Sequence, residues 1–318
     1  MRPSSFTSIT LLGLVLWLAS MSSGHTQTLE WVTQAGGPLS DRGSGIAIDS
    51  NGNSYVTGDF EGSATFGLGE PNQTTLIDSN GLGDIFVAKY DPSGALVWVT
   101  QAGGPGIDRG VSIAVDSSGN SYVRGVFRQT ATFGAITLTS IDGSFDIFVA
   151  KYDPNGALVW VRQVGGPDID AGRGIAVDSS GNSYVVGSFL GTTSFGGIML
   201  TSAGPGDIFV AKYNSSGTLV WVRQAGGTGL DNGVGIAVDS SGNSYVTGFF
   251  EGTASFGATM LTSAGLEDIV VAKYDPNGTL VWARRAGGTL SDESRGIAVD
   301  SSGNSYVTGR FAGTASFG

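Results

Sequence analysis

The chain of 318 residues contains no cysteine, one histidine and few positive charges. Without cysteine there is no disulfide framework, no thiolate zinc site and no cysteine nucleophile. Because His25 is the only histidine, neither a Ser–His–Asp triad nor a histidine-rich metal site can be assembled. The 16 Lys and Arg residues stand against 27 Asp and Glu residues. Such an acidic chain is not expected to bind nucleic acid, whose phosphates require clustered cations.

Long apolar runs are also missing. The run Ile9–Leu18 is far shorter than the roughly 20 residues that span a bilayer. It follows Arg2 and is followed by small residues, which is the pattern of a secretory signal peptide. We therefore predict a signal peptide over residues 1–24 and a mature domain over residues 25–318 with no membrane span. The mature chain is expected to be exported; a retained N-terminal anchor is the alternative.

Glycine is abundant, at 53 residues, and most glycines belong to an internal repeat. The string Gly-Ile-Ala-Val-Asp-Ser-Ser-Gly-Asn-Ser-Tyr-Val recurs five times with small changes, and its aspartates lie 67, 62, 61 and 61 residues apart. A string that ends in tryptophan and a Phe-Gly pair keep the same period. These three markers are Asp49, Asp116, Asp178, Asp239 and Asp300; Trp31, Trp98, Trp160, Trp221 and Trp282; and Phe66, Phe133, Phe195, Phe256 and Phe317.

Each repeat predicts four short strands. In the first copy these are strand A (Ile46–Asp49), strand B (Ser54–Phe60), strand C (Asp84–Asp91) and strand D (Ala95–Gln101). Turn sequences of the types Ser-Ser-Gly-Asn and Asp-Pro-Asn-Gly join A to B and C to D as antiparallel hairpins. A four-stranded antiparallel unit of about sixty residues is typical of a β-propeller blade. The sequence therefore predicts an all-β propeller of about five blades, with an open β-solenoid as the alternative.

The repeated string resembles the bacterial SBBP repeat, a repeat of seven-bladed β-propellers, over residues 28–318. The resemblance implies a secreted or cell-surface propeller and brings no shared catalytic residues. Five copies support five blades rather than seven. The units are expected near residues 44–110, 111–173, 174–234, 235–295 and 296–318, with residues 28–36 completing the last blade. Alternatively, the ring closes imperfectly or the chain is a fragment of a larger array.

Alternating strands place the A–B and C–D turns on one face of the propeller, which we call the turn face. The D–A and B–C connections then lie on the opposite face, the loop face. The loop sequences vary, so we expect the loop face to be the interaction face. One aspartate is constant in the D–A loops and is predicted, with turn formation as the alternative, to ring the channel mouth as a ligand site. These loop aspartates are Asp41, Asp108, Asp170, Asp231 and Asp292.

Other repeated residues suggest sites only weakly. The Asp49 series lacks the glycine and glutamate spacing of a calcium loop, so a hairpin turn explains it better and calcium is only weakly supported. The tryptophans are expected to pack between blades rather than bind sugars. Lysines of the Ala-Lys-Tyr strings are expected to be strand residues whose stems pack on the sheet. The clustered loop acids are Asp168 with Asp170 and Asp292 with Glu293.

These observations favour an exported, non-enzymatic binding or scaffold module without a cofactor, whose partner is an unknown surface protein or glycan. A carboxylate-based glycan hydrolase or lyase on the same fold is the alternative, since carboxylates are the remaining catalytic groups. A structural array without a ligand is the third possibility. Near-identical copies argue against an enzyme, because a catalytic site usually breaks the symmetry of the repeat.

Overall fold

A computed structural model describes residues 29–79 and 82–317. Within this part the chain forms 25 strands and one short 3-10 turn, Ile141–Gly143. Unit 1 contains β1 (Asp41–Ile48), β2 (Ser54–Phe60), β3 (Ser63–Phe66), β4 (Thr74–Ile77), β5 (Asp84–Tyr90) and β6 (Leu96–Gly103). Unit 2 contains β7 (Arg109–Val115), β8 (Ser121–Arg128), β9 (Thr130–Phe133), β10 (Ile136–Thr139), β11 (Phe145–Tyr152) and β12 (Leu158–Gly165). Unit 3 contains β13 (Asp170–Val177), β14 (Ser183–Phe189), β15 (Thr192–Phe195), β16 (Ile198–Thr201), β17 (Asp207–Tyr213) and β18 (Leu219–Gly227).

In the fourth unit, strand B and strand C run on without a break into the connection between them. Unit 4 therefore has fewer, longer strands, namely β19 (Asp231–Val238), β20 (Ser244–Phe256), β21 (Thr259–Tyr274) and β22 (Leu280–Gly288). Unit 5 contains β23 (Glu293–Val299), β24 (Ser305–Arg310) and β25 (Ala315–Ser316). The all-β prediction is confirmed for the described residues. No helix among them is long and apolar enough to cross a membrane.

The predicted hairpins are present. In unit 1, strands A, B, C and D are β1, β2, β5 and β6, and each pairs antiparallel with the next. The A–B turn closes through Gly52, whose φ of 82° is in the left-handed region that glycine tolerates best. Strand A is longer than predicted and begins at Asp41, because pairing continues through a β-bulge between Gly43 and Gly45.

The B–C connection was predicted as a loop, and it is instead a β-hairpin. In unit 2 it is β9–β10, and β9 pairs with strand D of unit 1 through Ala102 and Phe133. The Phe-Gly marker is the tip of this hairpin. As a result, two sheets of the molecule contain six strands rather than four, four from one unit and two from the next. Each unit thereby fastens itself to the outer edge of its predecessor.

Successive units pack face to face. Their innermost strands are neighbours in the order β1, β7, β13, β19 and β23. One hydrophobic core joins Ile85 and Val87 of unit 1 to Ile113 and Phe148 of unit 2, and equivalent cores follow in the later units. Strands B and C are buried on both faces, which explains their continuous apolar sequence. This stacking is the arrangement that a propeller repeat requires.

The first and last units expose side chains that are buried elsewhere. Ile46 is 48% exposed, whereas its counterparts Ile113, Ile175 and Ile236 are nearly buried. Residues 29–34 were predicted as a lone strand D, but the structure shows only one bridge, between Gly36 and Thr65. A strand D needs a neighbouring strand C to pair along its length, and none precedes it among the described residues. Completion of the last blade by residues 28–36 stays a prediction, and the predicted signal peptide lies outside the described residues.

Candidate functional site

The loop aspartates hold the D–A loops together. In each unit the Oδ2 atom accepts a hydrogen bond from a glycine amide four residues earlier, as Gly166 N donates to Asp170 Oδ2 over 2.9 Å. Asp108, Asp170, Asp231 and Asp292 have no exposed surface at all. The structure thus places these carboxylates inside the loops, in the turn-forming role. That they bind a ligand stays a prediction.

A second row of aspartates lies beside the loop aspartates, and sequence reasoning missed it. These strand-C aspartates stand at or near the start of strand C. A Cβ atom added at Gly226 would lie 2.6 Å from Asp207 Cγ and 2.8 Å from Asp231 Oδ2, so both carboxylates flank the same glycine. Only glycine fits there. The row consists of Asp84, Asp146, Asp207 and Asp268.

The strand-C aspartates differ in their partners. In units 1 to 3 a glutamine of strand D donates to the carboxylate, as Gln163 Nε2 does to Asp146 Oδ2 over 2.6 Å. In unit 4 the corresponding residue is Arg285, which forms a salt bridge of 2.8 Å with Asp268. An arginine compensates the buried negative charge, whereas a glutamine supplies only a hydrogen bond.

Burial changes the acidity of the loop aspartates at the start of units 2 to 4. Desolvation raises the pKa of Asp108, Asp170 and Asp231 to about 7. The negative charge of the neighbouring strand-C aspartate adds to this increase in each case, while amide hydrogen bonds oppose it. The loop face therefore contains buried carboxyl groups that titrate near neutral pH.

The Asp49 series forms hairpin turns, as predicted. Asp116 Oδ1 accepts hydrogen bonds from the amides of Ser118 and Asn120, and its Oδ2 accepts from the Asn120 side chain and the Tyr122 hydroxyl. The same bonds recur in the other units. These bonds lower the pKa of Asp49 despite partial burial. Among the described residues, no group of three or more acidic or histidine side chains is arranged to hold a metal ion.

Tyrosine, tryptophan and lysine fasten the turn face of one unit to the next. The Tyr122 hydroxyl donates to Gly181 O over 3.1 Å, and Trp160 Nε1 donates to Ser215 O over 3.1 Å. Lys151 Nζ lies 5.0 Å from the Tyr122 ring centre. Packing of tryptophan between units is confirmed, and these residues are structural. Equivalent tryptophan bonds reach Pro92, Pro154 and Pro276.

The clustered loop acids do not form open carboxylate sites. Asp170 and Asp292 are fully buried and bound to amides. Glu293 forms ion pairs with Arg295 and Arg310. A glycosidase needs two carboxyl groups that both reach the substrate. Neither pair offers such an arrangement.

Aliphatic side chains, in contrast, are exposed on the loop face. Leu39, Ile169 and Leu290 of the D–A loops are 58%, 62% and 47% exposed. Leu82 and Leu266 of the B–C connections are each 52% exposed. We call these five residues the loop-face aliphatics. Exposed aliphatic residues that share one face are typical of a contact surface for another macromolecule.

Comparison with known proteins agrees with the repeat. A model of the SBBP family, described as a beta-propeller repeat, matches residues 30–59, 97–126, 159–188, 220–248 and 281–310. Four of the matches begin at strand D, and all five end in a strand B. An uncharacterized WD repeat-containing protein of Acanthamoeba polyphaga mimivirus is 26% identical over 88% of this chain and 26% of its own length. The regulatory protein FlaEY of Caulobacter vibrioides is 32% identical over 34% of this chain and 12% of its own length.

Two solved structures are distantly similar. A gluconolactonase of Xanthomonas campestris has 12% identity and a TM-score of 0.38, over 84% of this chain and 82% of its own. Sqt1 of Chaetomium thermophilum has 12% identity and a TM-score of 0.29, over 81% of this chain and 75% of its own. At these scores the likeness carries no functional argument. The five repeat matches, spread from residue 30 to residue 310, show that the chain belongs to the SBBP β-propeller repeat family.

Proposed function

We propose that this propeller protein is an exported, non-enzymatic binding or scaffold module whose loop face contacts a protein at the cell surface. The observation that carries the proposal is the exposure of the loop-face aliphatics on a face where four of the five loop aspartates are fully buried. The apolar run of residues 9–18 after Arg2 supports export. A relative that contains WD repeats is consistent with a binding role.

The chemistry of the loop face favours a protein over a glycan. Sugar sites rely on exposed aromatic rings that stack on the pyranose, whereas the loop-face aliphatics offer leucine and isoleucine. Protein contact surfaces combine apolar side chains with a polar rim. The carboxylates nearby are buried, so we propose that binding needs neither a metal nor another cofactor.

The test compares two triple variants, each of which replaces three exposed aliphatic residues with serine on a different surface. Leu39→Ser, Ile169→Ser and Leu290→Ser alter the loop face. Val159→Ser, Val220→Ser and Val281→Ser serve as the control, because these valines of strand D are 51%, 52% and 54% exposed on the outer edge. Labelled protein is applied to cells of the source organism and to a glycan array.

We expect cell binding by the parent protein and by the valine variant, loss of binding by the loop-face variant, and no signal on the array. Equal cell binding by both variants would disprove the role of the loop face. Glycan signal that the loop-face variant abolishes would assign the same face to sugars instead. Export is tested separately, by sequencing the N-terminus of protein recovered outside the cell, which we expect to begin near residue 25.

A further inference from the structure

One arginine departs from the repeat inside the molecule. Arg124 of β8 lies opposite Ser112, at the position that the other units fill with Thr57, Val186, Thr247 or Thr308. At two of these positions threonine is used structurally, since Thr57 Oγ1 and Thr247 Oγ1 donate to strand C carbonyls over 2.9 and 3.0 Å. A short side chain is therefore sufficient for the fold, and the arginine needs another explanation.

The Arg124 side chain is completely buried and unpartnered. Its exposed surface is 0%, and none of its three guanidinium nitrogens has a hydrogen-bond partner among the described residues. Arginine stays protonated in proteins, and a buried charge without a partner is among the costliest arrangements a fold can hold. The unsatisfied guanidinium indicates that an anion is the missing partner.

A second arginine lies next to it, at a bulge position that unit 5 also fills with an arginine, Arg295. Arg124 crosses Gly172 of unit 3, where an added Cβ would lie 3.0 Å from Arg124 Cδ and 3.4 Å from Nη1. The following residue, Arg173, is the exposed bulge residue of innermost strand β13, between Gly172 and Gly174. Burial and the Arg173 charge both lower the pKa of Arg124. The positive charges of Arg124 and Arg173 thus lie close to each other, and no acidic residue lies between them among the described residues.

The neighbouring interface shows how the fold treats a charge that it compensates internally. Asp59 of unit 1 is also nearly buried; burial raises its pKa, and the charges of Arg109 and Arg42 oppose that increase. Arg109 belongs to unit 2, so this compensation spans two units. At the interface between units 2 and 3, the described residues provide the buried cation, Arg124, but no acidic partner for it.

We propose that Arg124 and Arg173 form a binding site for a small oxyanion, a carboxylate or a phosphate group, at the inner edge between units 2 and 3. Arginine binds both groups through paired N–H donors. Arg173, on the innermost strand, receives the ligand from solvent, and Arg124 supplies the buried charge. The site lies on strands A and B, away from the loop-face aliphatics, so it is independent of the function proposed above.

The test is anion titration of the full mature protein, with inorganic phosphate and acetate as probes and chloride holding the ionic strength constant. Calorimetry gives the dissociation constant, and thermal unfolding gives the stabilisation. Arg124→Thr installs the residue of units 1, 4 and 5, and Arg173→Val installs the residue found at Val111 and Val234. Both variants therefore carry side chains that this fold already accommodates.

We expect at least one probe to bind the parent protein, and binding to weaken at least tenfold in each variant. The probe that binds distinguishes a carboxylate from a phosphate ligand. Arg124→Thr should also unfold at a higher temperature than the parent in chloride alone, because an uncompensated buried charge is gone. If Arg124→Thr does not fold, Arg173→Val decides alone. Failure of both probes to bind the parent, or equal binding by parent and variants, would overturn the proposal.

The loop-face triple variant separates the two proposals. It should lose cell binding and keep its affinity for the anion. Arg124→Thr should lose the anion and keep cell binding. The two proposals are therefore tested independently, and either one can be disproved while the other holds.

Discussion

On the turn face, Tyr122 and Trp160 each donate a hydrogen bond to a turn of the next unit, and the same bonds return in almost every unit. On the loop face, Ile169 and Leu290 are half exposed and differ in sequence context from unit to unit. The sequence is nearly the same in every unit where neighbouring units contact each other, and it varies where the side chains are exposed to solvent. The two faces are therefore under different physical demands: the turn face holds neighbouring units together, and we propose that the loop face binds a partner.

The largest expected effect comes from removing a turn-face fastener. Trp160→Ala deletes a side chain that is 4% exposed, stacks edge-on against Tyr122 and donates to the next unit. We expect the free energy of unfolding to fall by about 3–5 kcal/mol. Denaturant unfolding measures it. Trp31→Ala is the control, since Trp31 precedes unit 1 and belongs to no strand, and a loss as large as that at Trp160 would contradict the packing argument.

The next effect concerns pH and the loop aspartates. Their folded pKa of about 7 lies above the usual aspartate value of 3.8, so the folded chain holds more protons between these values. These groups therefore make stability fall as pH rises from about 4 to about 7, by up to about 1.4 kcal/mol per pH unit for each group, and the fall levels off above about pH 7. Asp170→Asn should flatten the dependence by one such contribution, as measured by unfolding from pH 5 to pH 8.

A converse variant sharpens this prediction. Arg285→Gln gives unit 4 the glutamine that units 1 to 3 carry, and it removes the salt bridge to Asp268. We expect the decline of stability with pH to become steeper, because a further buried carboxylate then lacks a cation. A pH profile identical to that of the parent would show that Arg285 does not compensate the buried pair.

A smaller effect is expected for one hydroxyl. Tyr122→Phe keeps the ring but removes the donor to Asp116 and Gly181, which leaves buried acceptors unsatisfied. The expected loss is about 1–2 kcal/mol. The equivalent change Tyr306→Phe is the control, because Tyr306 is 60% exposed and bonds only within its own unit among the described residues. Equal losses at both positions would argue against fastening between units.

The smallest effect on stability belongs to the loop face. The triple change at Leu39, Ile169 and Leu290 removes partly exposed side chains, so we expect less than about 0.5 kcal/mol per substitution. Unfolding by denaturant checks this value alongside the binding assay. A loss of several kcal/mol would mean that these residues hold the fold rather than a partner.

Much of the fold could be predicted from the sequence, because the turn residues recur at the same offsets in every repeat. Asp, Gly and Asn at fixed offsets predicted the hairpin turns, and the Asp116 hydrogen bonds confirm them. The B–C hairpins were missed, although Gly196-Gly197 between alternating residues is a hairpin signal. The Phe-Gly pair is visible in the sequence only as a periodic marker, because its pairing with the preceding unit is a long-range contact without a local signature.

The site was less predictable, because its burial and contacts depend on residues that only the folded chain brings together. The loop aspartates were visible as a constant position, but burial by their own loop could not be inferred from spacing. Asp207 and Asp231 meet across Gly226 only because strand D and the following strand A bring them together. Arg124 stands out from its repeat in the sequence, and only the structure shows that it is buried without a partner.

The most direct test is a proteolysis-based measurement of unfolding free energy for every substitution at the Tyr, Trp and turn Asp positions of units 2 to 4 and at the loop-face aliphatics. We predict losses above about 1 kcal/mol at the turn-face positions in each of these units. At the loop-face aliphatics we predict changes within about 0.5 kcal/mol for substitutions to polar residues. Losses at the loop-face aliphatics as large as those on the turn face would contradict the division between a fastened face and a binding face.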